Sequence, residues 1–217
     1  MAIISRIEMN PNLYLKNPES SDLGQNIIKK SVALIAEIGF EQFTFKKLAN
    51  QIGTTEAGIY RYFENKHRLL TYLTTWFWNW LDFQVVFETN NINDPREKIE
   101  IIIQLLTDKI EDEHINKLHQ VVIDEGDKTY FTKHVNEDNQ AQFFKPYKDL
   151  CNRIAKIILD FNADYRFPHS LATMIIETAH HQYFFQHHLP SLTDFGNNKN
   201  QDSLKQFLEE MVFKTLN

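Results

Sequence analysis

The chain has 217 residues, of which 42% are hydrophobic and 13% aromatic, whereas only six are glycine and six are proline. An apolar fraction of this size can form a core, which excludes a globally disordered chain, and the scarcity of turn residues favours helices over a strand-rich fold. The formal net charge of −6 is uneven, because residues 1–68 hold nine Lys or Arg against seven Asp or Glu. The N-terminal part is therefore the more basic one, although this excess is too small to identify a nucleic-acid-binding protein.

The cysteine count and the apolar runs bear on the compartment. Cys151 is the single cysteine, which excludes an intrachain disulfide and fits a reducing compartment. No N-terminal stretch combines the basic start and apolar centre of a signal peptide, and no apolar run is long enough for a membrane helix. We therefore expect a cytoplasmic protein without a membrane partner, and we find no motif that indicates a cofactor.

The first regular element is expected at Asp22. Residues 1–21 show no period, and we interpret them as an irregular tail or arm. Apolar residues then recur at helical spacing, and Gly39 is placed to end this helix as a C-cap. The apolar positions are Ile28, Val32, Ile35 and Ile38.

Two short helices follow, separated by a glycine turn. Thr44 is a good N-cap for the second helix and Thr55 for the third, with Gly53 between them. A short helix, a short turn and another short helix form the helix-turn-helix pattern. The apolar residues assigned to its buried side are Phe45, Leu48, Ala49, Ile52, Ile59 and Phe63.

The remainder of the chain predicts further helices. A long helix is expected from about Asn65, and Asp94, Pro95 and Glu97 form a strong start for the next one. The next predicted elements are a helical piece at 115–124 and loops around Gly126 and over 136–141. One helix is expected to begin at Pro146, and another at Pro168 that reaches about His188. A polar loop over 191–201 and a final helix over 204–215 complete the chain. The predicted fold class is all-α, with an N-terminal three-helix domain and a larger helical domain.

The second and third helices have the chemistry of a DNA-binding surface. An α-helix fits the major groove, and the side chains over 55–58 are small apart from Glu56, so this end can approach base edges closely. Tyr, Arg and Lys side chains donate to phosphate oxygens, and free N–H groups at a helix start favour an anion. The candidate DNA-contact residues are Thr44, Lys46, Thr55, Glu56, Ala57, Gly58, Tyr60, Arg61, Tyr62 and Lys66.

Three of these candidates also have a purely structural interpretation. Tyr60 and Tyr62 could be partly buried aromatic residues, and Glu56 could stabilise the helix N-terminus through the helix dipole. These alternatives remain open at the level of the sequence.

Over residues 24–70 the chain resembles the TetR family of transcriptional regulators. The resemblance rests on a threonine that begins the second helix, a glycine in the turn, a Tyr-x-Tyr-Phe signature and a lysine three residues later. In this chain those residues are Thr44, Gly53, Tyr60, Tyr62, Phe63 and Lys66. The resemblance implies phosphate contacts by the two tyrosines and Lys66, with Thr44 and Lys46 beside them, and base contacts from 55–61. Departures from the family pattern at Lys47, Thr54 and Ala57-Gly58 concern the operator sequence rather than the fold.

The resemblance also implies a division of labour along the chain. Residues 22–66 are expected to bind double-stranded DNA, and residues 67–217 to bind a small-molecule effector and to form a homodimer. The helices near 168–189 and 202–216 are expected to pair with their mates as a four-helix bundle, which implies a palindromic operator. The expected function is that of a repressor released from DNA by a largely apolar effector.

Aromatic residues crowd the start of the larger domain. The run from Tyr72 to Phe87 places aromatic rings on all sides of one helix, which indicates either a large apolar pocket or ordinary core packing. The candidate effector-binding residues are Trp76, Trp80, Phe83 and His119.

The histidine-rich run over 180–188 admits several interpretations. Its spacing could place imidazoles to bind a transition metal or to form a pH-sensitive interface, but no nearby cysteine or histidine triad defines a metal site. Surface or dimer packing is the favoured interpretation, and we predict no metal. Cys151 lies on an apolar helix face, where we expect an inert core thiol.

Two other classes of protein were weighed against a DNA-binding regulator. The sequence has no glycine-rich phosphate loop, nucleophile elbow or HExxH motif, so we predict that it is not an enzyme. A helical protein-interaction module without DNA binding is the alternative. The Tyr60–Lys66 cluster distinguishes the two, because such a module has no need of it.

Overall fold

The computed structural model describes residues 7–196 and 202–217, and within these ranges the regular structure is helical, with no strand. Short 3-10 turns precede and connect some of the helices, at Pro11–Leu13, Pro18–Ser20, Gly126–Thr129 and Pro190–Leu192. The prediction of an all-α chain is confirmed. The α-helices are α1 (Asp22–Gln42), α2 (Phe45–Ile52), α3 (Glu56–Tyr60), α4 (Lys66–Thr89), α5 (Pro95–Thr107), α6 (Glu113–Glu125), α7 (Val135–Gln140), α8 (Lys145–Phe161), α9 (Pro168–His188) and α10 (Asp202–Leu216).

Side-chain caps set the starts of several helices where the sequence predicts them. The hydroxyl of Thr44 accepts a hydrogen bond from the third backbone N–H of α2, at 3.2 Å. Thr55 caps α3 in the same way at 3.1 Å, and the carboxylate of Asp94 caps α5 at 2.9 Å. Each cap satisfies an N–H group that has no partner within its own helix. Parts of two predicted segments, 1–6 of the arm and 197–201 of the polar loop, lie outside the described residues.

Gly39 bends α1 rather than ending it. Its backbone has φ 75° and ψ 158°, which a residue with a Cβ atom rarely adopts. The chain then continues for a further turn to Gln42, where the N–H of Phe43 donates to the carbonyl of Gly39 at 3.1 Å. The predicted C-cap is therefore a kink, and α1 is longer than expected.

The predicted loop over 136–141 is wrong, because Val135–Gln140 forms α7. This segment reads VNEDNQ and has no apolar stripe from which a helix could be inferred. A tertiary contact holds this segment instead, since Asp138 is buried and its carboxylate accepts a hydrogen bond from Arg68 at 2.8 Å. An ion pair between sequence-distant residues thus accompanies a helix that local sequence does not indicate.

The chain forms two compact units. The first holds the residues up to Trp80 and Ile110–Pro146, and the second holds Leu81–Lys109 and the described part of Tyr147–Asn217. In the first unit α1 packs against α2 and α6, and α2 packs against α3. Packing therefore groups α6 with the helix-turn-helix, which is a different division from the functional one expected at residue 66.

In the second unit α10 packs against α5 and α9, and α5 packs against α9. Buried aliphatic residues such as Ile102, Ile158 and Leu208 form its core. The guanidinium of Arg153 makes two hydrogen bonds with the carboxylate of Asp82, at 2.7 and 3.0 Å. None of the helices in the described ranges has both the length and the apolar character needed to cross a bilayer.

Candidate nucleic-acid interface

The α2-turn-α3 unit is held by apolar residues on one side and by a glycine at the turn. Leu48 and Ala49 of α2 and Ile59 of α3 are buried, so these helices share one core face. Gly53 adopts the left-handed conformation at φ 72° and ψ 37°, which allows the chain to reverse between the helices. This local packing leaves the opposite side of both helices to solvent.

Seven of the ten candidate DNA-contact residues lie on that exposed side. The ring of Tyr60 packs edge-on against Phe45, with 5.0 Å between ring centroids, which fixes the end of α3 next to the start of α2. Tyr60 remains 48% exposed, so the ring is both packed and accessible. Gly58 is half-buried. The exposed candidates are Thr44, Lys46, Thr55, Glu56, Ala57, Tyr60 and Arg61.

Tyr62 has a different environment from Tyr60. It is only 3% exposed, and its hydroxyl lies 2.8 Å from the hydroxyl of Ser21 and 3.3 Å from the ammonium of Lys16. The hydrogen bond with Ser21, followed by that with Lys16, lowers the pKa of Tyr62. The ring is therefore part of the core.

Lys66 is engaged in the protein. Its ammonium donates to the carbonyl oxygens of Phe40, Glu41 and Phe43, at 2.9, 3.2 and 3.2 Å. These carbonyls belong to the end of α1, where backbone acceptors lack helical partners and a positive charge is stabilising. A phosphate contact by Lys66 would compete with this clamp. The predicted contact stays a prediction, but the structure shows a second role for this lysine.

The arm before α1 packs more closely than its sequence indicates. Leu13 is fully buried, and the N–H of Leu15 donates to the carbonyl of Tyr62 at 2.8 Å. The side chain of Asn10 donates to the carbonyl of Ala141 at 2.8 Å. The sequence signal for this packing is weak, because one buried leucine between two prolines has no period.

Three of the four candidate effector residues lie in the first unit, and His119 is the most buried of them. Its ring stacks on that of Phe77, with centroids 5.1 Å apart and planes 11° apart, and Phe77 also packs against Trp80 at 5.7 Å. Burial lowers the pKa of His119 to about 4, so the imidazole is neutral at physiological pH. Trp76 is half-buried. Phe83, in the second unit, is 40% exposed.

A cleft of about 390 Å³ lies elsewhere in the first unit, at the start of α4 and beside α7. Its lining residues all have polar or charged side chains and include none of the four candidate effector residues. The Arg68–Asp138 ion pair forms part of its wall. The other lining residues are Glu64, Asn65, His67, Thr132, His134 and Glu137.

A side chain of α6 is bonded to the backbone at the bend of α1. The carboxylate of Glu125 accepts a hydrogen bond from the N–H of Phe40 at 2.8 Å, one residue after the kink at Gly39. The ammonium of Lys128 bonds to the other oxygen of this carboxylate at 2.5 Å. Glu125 and His119 both lie on α6.

The histidine-rich run forms the C-terminal end of α9. His181 and His187 each donate from Nδ1 to the carbonyl oxygen four residues earlier, at 2.7 and 2.8 Å. The rings of His187 and His188 lie 4.4 and 4.6 Å from those of Tyr183 and Phe184. Within the described part of the chain, no group of three or more His, Cys, Asp or Glu side chains is arranged to hold a metal. Cys151 is buried, and burial raises the pKa of its thiol to about 11, as expected for an inert core thiol.

A capped helix, a left-handed glycine turn and a short exposed helix with basic and hydroxyl side chains define the class of helix-turn-helix DNA-binding proteins. Residues 27–73 match the family model described as bacterial regulatory proteins of the tetR family. The match covers the helix-turn-helix and the residues on either side of it, and over this segment the chain is similar to the regulators of that family. Comparison with curated protein sequences finds no significant match.

Solved structures similar to this chain include several regulators. AibR in complex with isovaleryl coenzyme A and operator DNA is 14% identical, with a TM-score of 0.66 over 87% of this chain and 97% of that one. The fatty acid degradation regulator FadR from Bacillus halodurans is 21% identical, with a TM-score of 0.65 over 87% and 93% of the two chains. The ketosteroid regulator KstR2 of Mycobacterium tuberculosis is 15% identical, with a TM-score of 0.58 over 91% and 94%. At these identities the likeness shows a shared fold.

Proposed function

We propose that this protein is a homodimeric cytoplasmic repressor that binds a palindromic operator through α2 and α3 and is released by a largely apolar small molecule. The observation that carries the DNA-binding part is the exposed side of these helices. There, seven polar or small candidate residues surround a helix start that a threonine caps.

Different residues on this side are suited to different parts of the DNA. The start of α3 carries Thr55, Glu56 and Ala57, all exposed, and a helix N-terminus of this kind reaches base edges in the major groove. Thr44 and Lys46, at the start of α2, are suited to a backbone phosphate, because free N–H groups and an ammonium both favour an anion.

Selection of bound sequences from random duplex DNA tests the DNA-binding proposal. The wild-type chain is compared with the double variant Tyr60→Ala, Arg61→Ala and with Lys30→Ala, a control that removes an exposed charge from α1. We expect wild type and control to enrich the same palindrome and the double variant to lose it. If no sequence is enriched even at low salt, the protein-interaction alternative replaces the proposal.

The dimer proposal rests on apolar side chains of the second unit that remain accessible. Met174 of α9 is 43% exposed and Phe207 of α10 is 41% exposed. A two-fold pairing of the last two helices would bury both. Light scattering on Met174→Asp is expected to show monomers, whereas Phe131→Asp, which changes an even more exposed apolar residue of the first unit, is expected to leave the dimer intact. Monomeric wild type would contradict this proposal.

The effector proposal rests on the aromatic cluster of the first unit. Trp76 and Trp80 are half-buried, and Phe77 packs against both Trp80 and the ring of His119, so these side chains form an aromatic surface suited to an apolar molecule. Glu125 connects the same helix to the bend of α1, which gives ligand binding a route to the helix-turn-helix.

Fluorescence anisotropy of labelled operator tests this, with decanoic acid as the probe. Release by this probe is expected to be lost in Trp80→Ala and retained in Phe131→Asp. Release that survives Trp80→Ala would exclude this tryptophan from the effector site.

A further inference from the structure

The arm before α1 places a lysine, Lys16, beside Tyr62, just after α3. Leu13 anchors the arm in the core, and the backbone bond from Leu15 to Tyr62 fixes the position of the next residue, Lys16. The side chain of Lys16 is exposed, and its ammonium lies 5.1 Å from the centre of the Tyr62 ring. A basic group from outside residues 27–73, which match the family model, is thus held beside the segment that is proposed to bind DNA.

Lys16, Ser21 and Tyr62 form a cluster of hydrogen-bond donors. The ammonium of Lys16 donates to the Tyr62 hydroxyl at 3.3 Å, and that hydroxyl shares a hydrogen bond of 2.8 Å with Ser21. Whichever hydroxyl donates in this pair, the hydrogen of the other stays available, as do two hydrogens of the ammonium. The Ser21 oxygen already accepts from the N–H of Gly24 at 3.3 Å, which holds it at the start of α1. The cluster therefore offers more donors than it uses.

We propose that Lys16, Ser21 and Tyr62 bind a phosphate of the operator backbone, so that the arm takes part in DNA binding. A phosphate oxygen accepts from ammonium and hydroxyl groups, and this cluster presents both from fixed positions. Arg61, adjacent in the chain and exposed, adds positive charge. In this site Tyr62, whose ring is buried, contacts DNA through its hydroxyl alone. This inference rests on the proposed operator binding.

The salt dependence of operator binding tests the inference, because it counts the phosphates that a protein neutralises. Affinity for the selected operator is measured over about 0.05 to 0.3 M salt for wild type, Lys16→Ala, Lys16→Arg and the control Lys30→Ala. Each neutralised phosphate contributes about −0.9 to the slope of log affinity against log salt concentration, so Lys16→Ala is expected to reduce the slope of a dimer by about 1.8. The corresponding loss of affinity at about 0.15 M salt is on the order of 10- to 30-fold. Lys16→Arg and Lys30→Ala are expected to keep the wild-type slope.

Thermal unfolding of the same four proteins separates DNA contact from support of the fold. If Lys16→Ala lowers the unfolding temperature and the affinity but keeps the wild-type slope, Lys16 only supports Tyr62, and the inference is overturned. If wild type has no operator affinity at any salt concentration, the proposed function itself fails. If wild type binds and Lys16→Ala behaves like Lys30→Ala, only the role of the arm is excluded.

Discussion

The exposed side of α2 and α3 and the cluster around His119 both contain aromatic rings, but they use them in opposite ways. Tyr60 packs one edge on Phe45 and stays 48% exposed, whereas His119 is 7% exposed and lies flat against Phe77. On the first surface, function depends on what is left accessible, and in the second cluster it depends on what is shielded from water. Substitutions should therefore change DNA affinity in one region and stability in the other.

The largest effect is expected for Tyr60→Ala combined with Arg61→Ala. Both side chains are exposed, so their removal is expected to cost about 2–6 kcal/mol in operator affinity, at about 1–3 kcal/mol for each contact. The unfolding temperature should stay close to that of wild type. Fluorescence anisotropy and calorimetry measure the two quantities. If the double variant unfolds at a clearly lower temperature than wild type, this surface is part of the core, which would contradict the difference between the two regions.

Lys66→Met tests a residue that supports the fold and is also predicted to contact a phosphate. Loss of three hydrogen bonds to the carbonyls at the end of α1 is expected to lower the free energy of unfolding by about 2 kcal/mol. The control is Lys47→Met, which removes an exposed ammonium that donates to the carbonyl of Gln42, and we expect a change below about 0.5 kcal/mol. Urea unfolding measures both. A salt slope reduced only in Lys66→Met would show that this lysine also meets a phosphate.

His119→Phe is expected to change how stability depends on pH. The pKa of His119 is lowered from 6.5 to about 4 in the folded protein, so between these values the unfolded chain binds a proton that the folded chain does not. Wild type should therefore lose about 2 kcal/mol at about pH 5 relative to pH 8 through this residue. The variant lacks this loss, and urea unfolding at the two pH values measures the difference. Equal pH dependence in both proteins would show that the pKa of His119 is not lowered in the folded protein.

Thr55→Ala is expected to have the smallest effect. It removes the cap of α3 and with it about 1 kcal/mol of stability. Thr55→Ser keeps the hydroxyl and should restore the stability. Because Thr55 is also a candidate base contact, the serine variant separates the two roles: recovered stability with weakened operator binding would assign a DNA contact to the threonine methyl group.

The caps and the glycine turn show why the helix-turn-helix could be predicted from the sequence. Thr44, Gly53 and Thr55 act through their immediate neighbours, so the positions of these residues determine the bounds of α2 and α3 directly. The sequence signals for the start of α5 at Asp94 and for α9 over Pro168–His188 are equally local, and both predictions are confirmed. The exposure of residues 55–57 follows from the apolar periodicity of these helices, which places other residues on the buried side.

Contacts between sequence-distant residues could not be predicted in this way. α7 lacks an apolar stripe, and its buried carboxylate at Asp138 bonds to Arg68, 70 positions away. Tyr60 and Tyr62 look alike in the sequence, yet one is exposed and the other is buried beneath the arm. No local pattern marks Lys66 as a clamp on α1, because its three acceptors are backbone carbonyls of an earlier segment.

The sequence by itself determined the helical class, the bounds of most helices and the helix-turn-helix, because caps, glycines and apolar periodicity act over a few residues. Only the tertiary structure decided that the arm packs on Tyr62, that Glu125 bonds to the bend of α1 and that His119 is shielded from water. Each of these depends on which side chain reaches which distant backbone or ring. That is fixed by the packing of whole helices and not by the residues next to it in the chain.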